Sequence, residues 1–254
     1  MTPAALGAFG QAMESFGGSY SALVAGASGG IGAALVEALA ADPRCRQVLA
    51  GARAGQGPHG AKIRPLVLDI TDPESLAAAA AETEPDLRLV LCAAGYLHGA
   101  AGGPEKSWRQ IEPQAMAHAF AINATGPALL ARHLLGRLPR GERAIFAALS
   151  ARVGSISDNR SGGWYGYRAS KAALNQILKC LAIEAARSMR HLVVAGLQPG
   201  TVRTGLSAPF RSRVAPDDLL SPEASAAHLL GVLDRLVPAQ SGRIFDWRGE
   251  EVPP

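Results

Sequence analysis

Cysteine is scarce in this chain: Cys45, Cys92 and Cys180 are the only three in 254 residues, and they lie far apart. An odd number at such spacing fits neither a disulfide framework nor a zinc site, so a reducing, cytoplasmic setting is expected. His98, His118 and His133 also lack metal-ligand spacing, and no metal is expected. No apolar run reaches the length of a membrane span. Charge of one sign is not concentrated either: the net charge is +4, with lysine and arginine scattered along the chain. That balance offers nucleic acid no basic stripe, although it suits small anionic ligands. Residues Met1–Ser19 contain no lysine or arginine, so they lack the charged-then-apolar layout of a secretion signal. They read as a short leader, a helix packed outside the fold.

Apolar residues are abundant, at 48% of the chain, and they fall into short strand-like runs alternating with helical periodicity. Residues 21–27, 47–52, 63–68, 87–92, 143–149, 191–197 and 243–247 read as strands. Helical patterns cover 30–41, 72–83, 113–138, 164–188 and 222–236, with Pro127 as a kink in the third. Asp72 followed by Pro73 is an N-cap with a first-turn proline. Such alternation predicts an α/β, doubly wound fold: a parallel seven-stranded sheet with helices on both faces. No repeat or linker interrupts it, so residues 20–254 form one domain.

Two local signals carry chemistry. The first is a glycine loop, Gly26-Ala27-Ser28-Gly29-Gly30-Ile31-Gly32, set between the first strand and the first helix. Gly26 permits a tight turn, while Gly30 and Gly32 let backbone and helix approach a pyrophosphate closely. The free N–H groups of the helix start then receive the anion. The second signal is Tyr167-Arg168-Ala169-Ser170-Lys171. Residues at i and i+4 share one helix face, so the phenol and the ammonium project together. A nearby cation stabilises phenolate and is expected to lower the Tyr167 pKa from about 10 toward the working pH. Such a tyrosine exchanges a proton with a carbonyl or alcohol oxygen.

Cofactor choice is written where acid is missing. A sheet that binds NAD usually carries Asp or Glu at the end of its second strand, bonded to the ribose hydroxyls. Residues 43–68 contain no carboxylate, but they do contain Arg44, Arg46, Arg53, Lys62 and Arg64. Arg53, just past the strand, is placed to pair with a 2′-phosphate through a bidentate guanidinium. NADP(H) is therefore favoured over NAD(H).

These residues resemble the short-chain dehydrogenase/reductase family over residues 20–250. Gly26, Gly30 and Gly32 match its Gly-x-x-x-Gly-x-Gly signature, and Tyr167 and Lys171 its Tyr-x-x-x-Lys. Asp69-Ile70 resembles the family's adenine-contacting pair, and Cys92-Ala93-Ala94-Gly95 occupies its Asn-Asn-Ala-Gly turn. Asn123 matches its helix asparagine, and Pro199-Gly200-Thr201-Val202-Arg203-Thr204 its segment beside the nicotinamide. The stretches 154–159 and 162–165 are similar to the C-factor and Sniffer-like carbonyl reductase branch. The resemblance implies a Rossmann-type NAD(P)-binding domain, assembled as a homodimer or homotetramer. It would transfer hydride between the cofactor and a small carbonyl or alcohol substrate. Tyr167 would exchange the proton, Lys171 would hold the nicotinamide ribose and a serine would orient the carbonyl. Asn123 would anchor a water that relays protons from Lys171 to solvent.

Two departures from the family pattern stand out. Cys92 replaces the first asparagine of the turn, and Ser150-Ala151 replaces the Ser-Ser pair whose second member is catalytic. Side chains alternate along a strand, so Ser150 and Ala151 cannot both face the site in one register. Ser150 is the first candidate for the serine role and Ser155 the substitute. The rival function is an NADP(H)-binding signalling or sensor protein on the same fold. The irregular segment 207–220, with Phe210, reads as a lid over substrate.

Overall fold

The computed structural model describes residues 13–213, 215 and 218–254. Its strands are Tyr20–Ala25 (β1), Cys45–Ala52 (β2), Ile63–Val67 (β3), Leu87–Cys92 (β4), Ala144–Leu149 (β5), Leu192–Gln198 (β6), Thr201–Val202 (β7), Leu219–Leu220 (β8) and Arg243–Asp246 (β9). Seven of them form the expected parallel sheet, in the order β3-β2-β1-β4-β5-β6-β9. Central strands with both faces covered should be apolar throughout, and every residue of β1 and β4 is buried. β3 alternates in exposure and contains Pro65, which an edge strand tolerates because one row of its backbone groups has no partner. β7 and β8 pair separately and in parallel.

Two apolar layers cover the sheet. The helices Gly30–Ala41 (α1) and Pro222–Arg235 (α6) pack with one face, burying Leu35, Leu39, Leu229 and Leu233. Pro73–Ala81 (α2), Gly126–Leu134 (α4) and Tyr165–Ala185 (α5) cover the other, with Leu76, Leu130, Leu174 and Leu178 in that core. The helical pattern at 113–138 is broken in the middle. Pro113–Phe120 (α3) gives way to a π turn at Ala121–Thr125 before α4 begins. In an α-helix the Asn123 carbonyl would take the N–H four residues on, but that residue is Pro127, which has none. The Gly126 N–H reaches back to the Ala121 carbonyl instead, closing the wider turn.

The expected leader is partly inside the domain. Residues 1–12 lie outside the described residues, but Met13 and Phe16 are buried in the α1/α6 core. The Met13 N–H and the Tyr20 hydroxyl both donate to Asp42 Oδ2, each at 2.8 Å. The Ser15 N–H donates to Asp234 Oδ1 at 2.9 Å, and Arg143 Nε donates to Ser15 Oγ at 2.7 Å. Arg88 donates to the Phe16 carbonyl at 2.9 Å, with its guanidinium 5.1 Å from the Phe16 ring centroid. Residues 13–19 are thus a strap across the underside of the sheet, opposite the strand C-termini. Their packing corrects the expectation of a leader ending at Ser19.

Among the described residues no helix is long and apolar enough to cross a membrane, and no cluster of metal-ligating side chains forms. All three cysteines are free, with Cys45 and Cys92 buried.

Candidate active site

The strand order reverses between β1 and β4, and the crevice above their C-terminal ends is where such sheets bind nucleotides. The glycine loop lies there. Gly26 is left-handed (φ 92°), and a Cβ on it would stand 2.6 Å from the Ala94 nitrogen. At Gly32 a Cβ would overlap the Gly26 carbonyl oxygen. Gly29 is the N-cap of α1, and no side chain caps that helix, so the first N–H groups, from Gly30, Ile31 and Gly32, stay available to an anion beside Ser28. A cradle that any Cβ would fill, ending on an uncapped helix, fits a dinucleotide pyrophosphate.

The flanks of the crevice are built from the other expected cofactor residues. Cys92 ends β4, and Ala93 N–H donates to the Ala25 carbonyl at 2.7 Å, seating Ala93-Ala94-Gly95 against the glycine loop. Burial pushes the Cys92 thiol up to about 11, which leaves it a small apolar filler and no nucleophile. Across the crevice, Thr204 Cγ2 would be 2.8 Å from a Cβ on Gly30, and Gly200 takes φ 80°. Ser225 fixes this arch by donating to the Pro199 carbonyl at 2.9 Å, and Val202 is buried beneath it. Ile70 packs on Gly126, where a Cβ would be 2.6 Å from its Cδ1. Asp69 accepts from the Thr71 N–H and hydroxyl at 2.8 and 2.7 Å, which hold its carboxyl below its usual range.

Of the basic residues near β2, several are occupied elsewhere. Arg46 donates to Asp86, Arg64 pairs with Glu82, and Lys62 donates to the Asp42 carbonyl. Arg53 is exposed one residue past β2, makes no ion pair among the described residues, and lies close enough to Asp69 to help depress its pKa.

Tyr167 and Lys171 do share one face of α5, with the ammonium 5.8 Å from the phenol ring centroid. Lys171 Nζ donates to the Leu149 carbonyl at 2.7 Å. The expected pKa depression of Tyr167 is not realised. Burial pushes the phenol up to about 12 and pulls the Lys171 ammonium down to about 8. The cause is desolvation, which disfavours both charged forms. At neutral pH both groups hold their protons, so Tyr167 stands as an acid.

Asn123, on the π turn, is saturated through its side chain. Its Oδ1 accepts from the Tyr96 N–H at 2.8 Å, and its Nδ2 donates to the Tyr96 carbonyl at 2.8 Å and to Ser170 Oγ at 3.0 Å. Ser170 in turn donates to the Tyr167 carbonyl at 2.9 Å. The amide therefore locks the turn after β4 to α5. A relay water would have to be held by the Asn123 main-chain carbonyl, whose helical donor Pro127 has removed.

Neither candidate serine turns its hydroxyl to Tyr167. Ser150 donates to Asn175 Oδ1 at 2.6 Å, two helical turns beyond Tyr167 on α5. It follows the register of Phe146 and Ala148, which face the α4/α5 core. Ala151 is extended (φ −154°, ψ 148°), so it projects to the opposite side. Ser155 is buried, donates to the Pro254 carbonyl at 3.3 Å and accepts from the Asp158 N–H at 3.1 Å.

Sequence reasoning did not assemble the wall around Tyr167. Trp164 lies edge-on to Tyr167 with ring centroids 6.2 Å apart, Phe210 packs on Trp164 at 5.0 Å, and His98 on Phe210 at 5.7 Å. These side chains come from three separate loops, and aromatic residues are only 5% of the chain. Their convergence gives the site an apolar, aromatic rim. His98 Nε2–H donates to the Leu206 carbonyl at 3.1 Å, tying two of the loops together.

The sequence profile of the short chain dehydrogenases matches residues 20–215. The chain belongs to that family. It is 38% identical to C-signal of Myxococcus xanthus over 138 residues, 54% of this chain and 78% of that protein. It is 34% identical to galactitol 2-dehydrogenase (L-tagatose-forming) of Cereibacter sphaeroides over 204 residues, 76% of this chain and 75% of the other. Among solved structures, a Burkholderia multivorans protein assigned to the short-chain dehydrogenase/reductases, with bound NADP, superposes with a TM-score of 0.76. Its sequence identity is 28%, covering 93% of this chain and all of that one, 100%. Within the short-chain dehydrogenases, the likeness to C-signal agrees with the branch resemblance read from residues 154–165.

Proposed function

We propose that this protein reduces small, apolar carbonyl compounds with NADPH, and that Tyr167 delivers the proton. The observation that carries the proposal is geometric: the half-buried Tyr167 phenol and the buried Lys171 ammonium share one face of α5 beside Gly95, at the edge of the nucleotide crevice. Reduction consumes a proton at the alkoxide oxygen, and a protonated tyrosine is the group that supplies one. Gly26, Ser28, Gly29, Gly30, Ile31 and Gly32 would hold the pyrophosphate and Arg53 the 2′-phosphate. Asp69 and Ile70 would flank the adenine, while Cys92–Gly95 and Pro199–Thr204 would enclose the nicotinamide half. The hydride comes from the reduced nicotinamide, and the chain's own residues do the rest. Lys171 would hold the nicotinamide ribose and keep a positive charge under Tyr167. The Asn123 carbonyl would hold the water that returns a proton to Lys171. Trp164, Phe210 and His98 would exclude solvent and seat an apolar substrate.

The test is NADPH oxidation against a panel of aliphatic and aromatic aldehydes and ketones, with NADPH and NADH affinities measured in parallel. Turnover with NADPH on apolar members is expected; none on any member would overturn the proposal. Arg53→Ala should weaken NADPH binding by about 10–100-fold, the value of a charge-assisted pair, and leave NADH binding nearly unchanged. Equal losses for both would remove Arg53 from the 2′-phosphate site.

Ala151 and the engaged serines favour a second reading, in which the protein binds NADP(H) as a signalling or sensor protein with little turnover. Ala151→Ser separates the two. In a reductase that relies on Tyr167 alone to polarise the carbonyl, an added hydroxyl should raise kcat/KM by about tenfold, the worth of one good hydrogen bond. Tight NADPH binding with negligible reduction in both forms supports the signalling reading.

A further inference from the structure

We infer that Glu105, in the loop between β4 and α3, is the positioning residue of the catalytic helix: it clamps the first turn of α5 and so sets where Tyr167 stands. The inference rests on Tyr167 being the proton donor. Glu105 has no part in the mechanism above, yet it is only 7% exposed and forms no ion pair among the described residues. Its carboxylate accepts the Gly166 N–H through both oxygens, at 3.3 and 3.2 Å. Its main-chain carbonyl accepts the Trp164 N–H at 2.5 Å.

The start of α5 needs such a clamp. Its N-cap, Trp164, offers no side-chain cap and is left-handed (φ 53°, ψ 42°), the only such non-glycine among the described residues. Gly162 and Gly163 before it are left-handed too, with φ 62° and 64°. A bulky residue keeps that conformation only where its surroundings over-determine it. Glu105 supplies that determination from a loop about sixty positions away in sequence. The chain also makes room for it. A Cβ on Gly166 would be 3.0 Å from Glu105 Oε1, and one on Gly163 would be 3.3 Å from the Glu105 carbonyl oxygen. The negative carboxylate further complements the positive end of the helix dipole. Glu105 and Tyr167 line the same cavity of about 20 Å³ with Tyr96 and Leu97, so Glu105 borders the reacting region without contacting the phenol oxygen.

The experiment compares Glu105→Ala, Glu105→Gln and Gly166→Ala in the full chain. Glu105→Ala should lower kcat by about 10–100-fold, the effect of a displacement near one ångström, with KM and NADPH affinity changed far less. Glu105→Gln keeps an acceptor for the Gly166 N–H and should recover most of the lost kcat. Gly166→Ala crowds the carboxylate without removing it, and should reproduce the kcat loss if Glu105→Ala does not fold. Hydrogen exchange at the Trp164 and Gly166 amides reads the clamp without any turnover: protection should fall in Glu105→Ala and return in Glu105→Gln. Exchange therefore still decides the clamp if no carbonyl substrate is turned over, which would be the failure of the reductase reading alone. Unchanged exchange and kcat in Glu105→Ala would overturn the inference. Parallel loss of kcat and NADPH affinity, with no rescue by glutamine, would overturn it as well.

Discussion

Tyr167→Phe should lower kcat for carbonyl reduction by about 10²–10⁴-fold, the usual contribution of a positioned proton donor, while NADPH affinity stays within about twofold. The substitution removes one oxygen and keeps the ring that Trp164 packs against at 6.2 Å. It also leaves intact the Lys171 bond to the Leu149 carbonyl and the Ser170 bond to the Tyr167 carbonyl. The scaffold therefore loses little, and the deficit belongs to chemistry. The two candidate serines are engaged elsewhere, Ser150 with Asn175 and Ser155 with Pro254. Single-turnover measurement at saturating NADPH separates the chemical step from binding. A variant that kept more than about a tenth of the wild-type rate would end the assignment of Tyr167 as the acid.

Gly32→Ala should abolish tight NADPH binding and destabilise the protein by about 2–3 kcal/mol, as overpacking does, or about 5–10 °C in Tm at this size. The added methyl overlaps the Gly26 carbonyl oxygen and stands 2.8 Å from the Gly26 carbonyl carbon. The turn cannot retreat, since the Gly26 and Ala27 N–H groups both donate to the Gly51 carbonyl, at 2.8 and 2.9 Å. Behind it, the Ala94 backbone closes the other side. Relief is available only by opening the loop that would receive the pyrophosphate. Gly136→Ala is the matched control, because nothing lies within 4 Å of a Cβ there. Calorimetric titration and thermal melts of both variants test this; Gly32→Ala binding NADPH like the control would sink the steric account.

What could be read from the sequence was local or periodic. The buried strands announce themselves as unbroken apolar runs, and the glycine loop and the Tyr167/Lys171 pair depend only on neighbours along the chain. The pKa of Tyr167 could not be read, because spacing reports the nearby cation and not the burial that outweighs it. The serine question stayed open because it turns on which side of the sheet the end of β5 presents, a tertiary matter decided by Asn175 on α5. Pro127 marked the break in the long helix, but the π turn came before it, at the carbonyls the proline leaves unserved. Phe210 was legible as a cover over substrate, but its meeting with Trp164 and His98, like the Glu105 clamp, joins loops far apart in sequence and could not be read.

The strap beneath the sheet bears on the order in which the protein completes itself. Met13–Phe16 is made well before its partners Arg143 and Asp234. The Ser15–Asp234 bond closes a loop of 219 positions, and contacts so distant form late because their closure entropy comes first. Until α6 is made, Ser15 and Arg143 lack their partners at Leu233 and Asp234. A late-made helix thus fastens a segment made some two hundred residues before it.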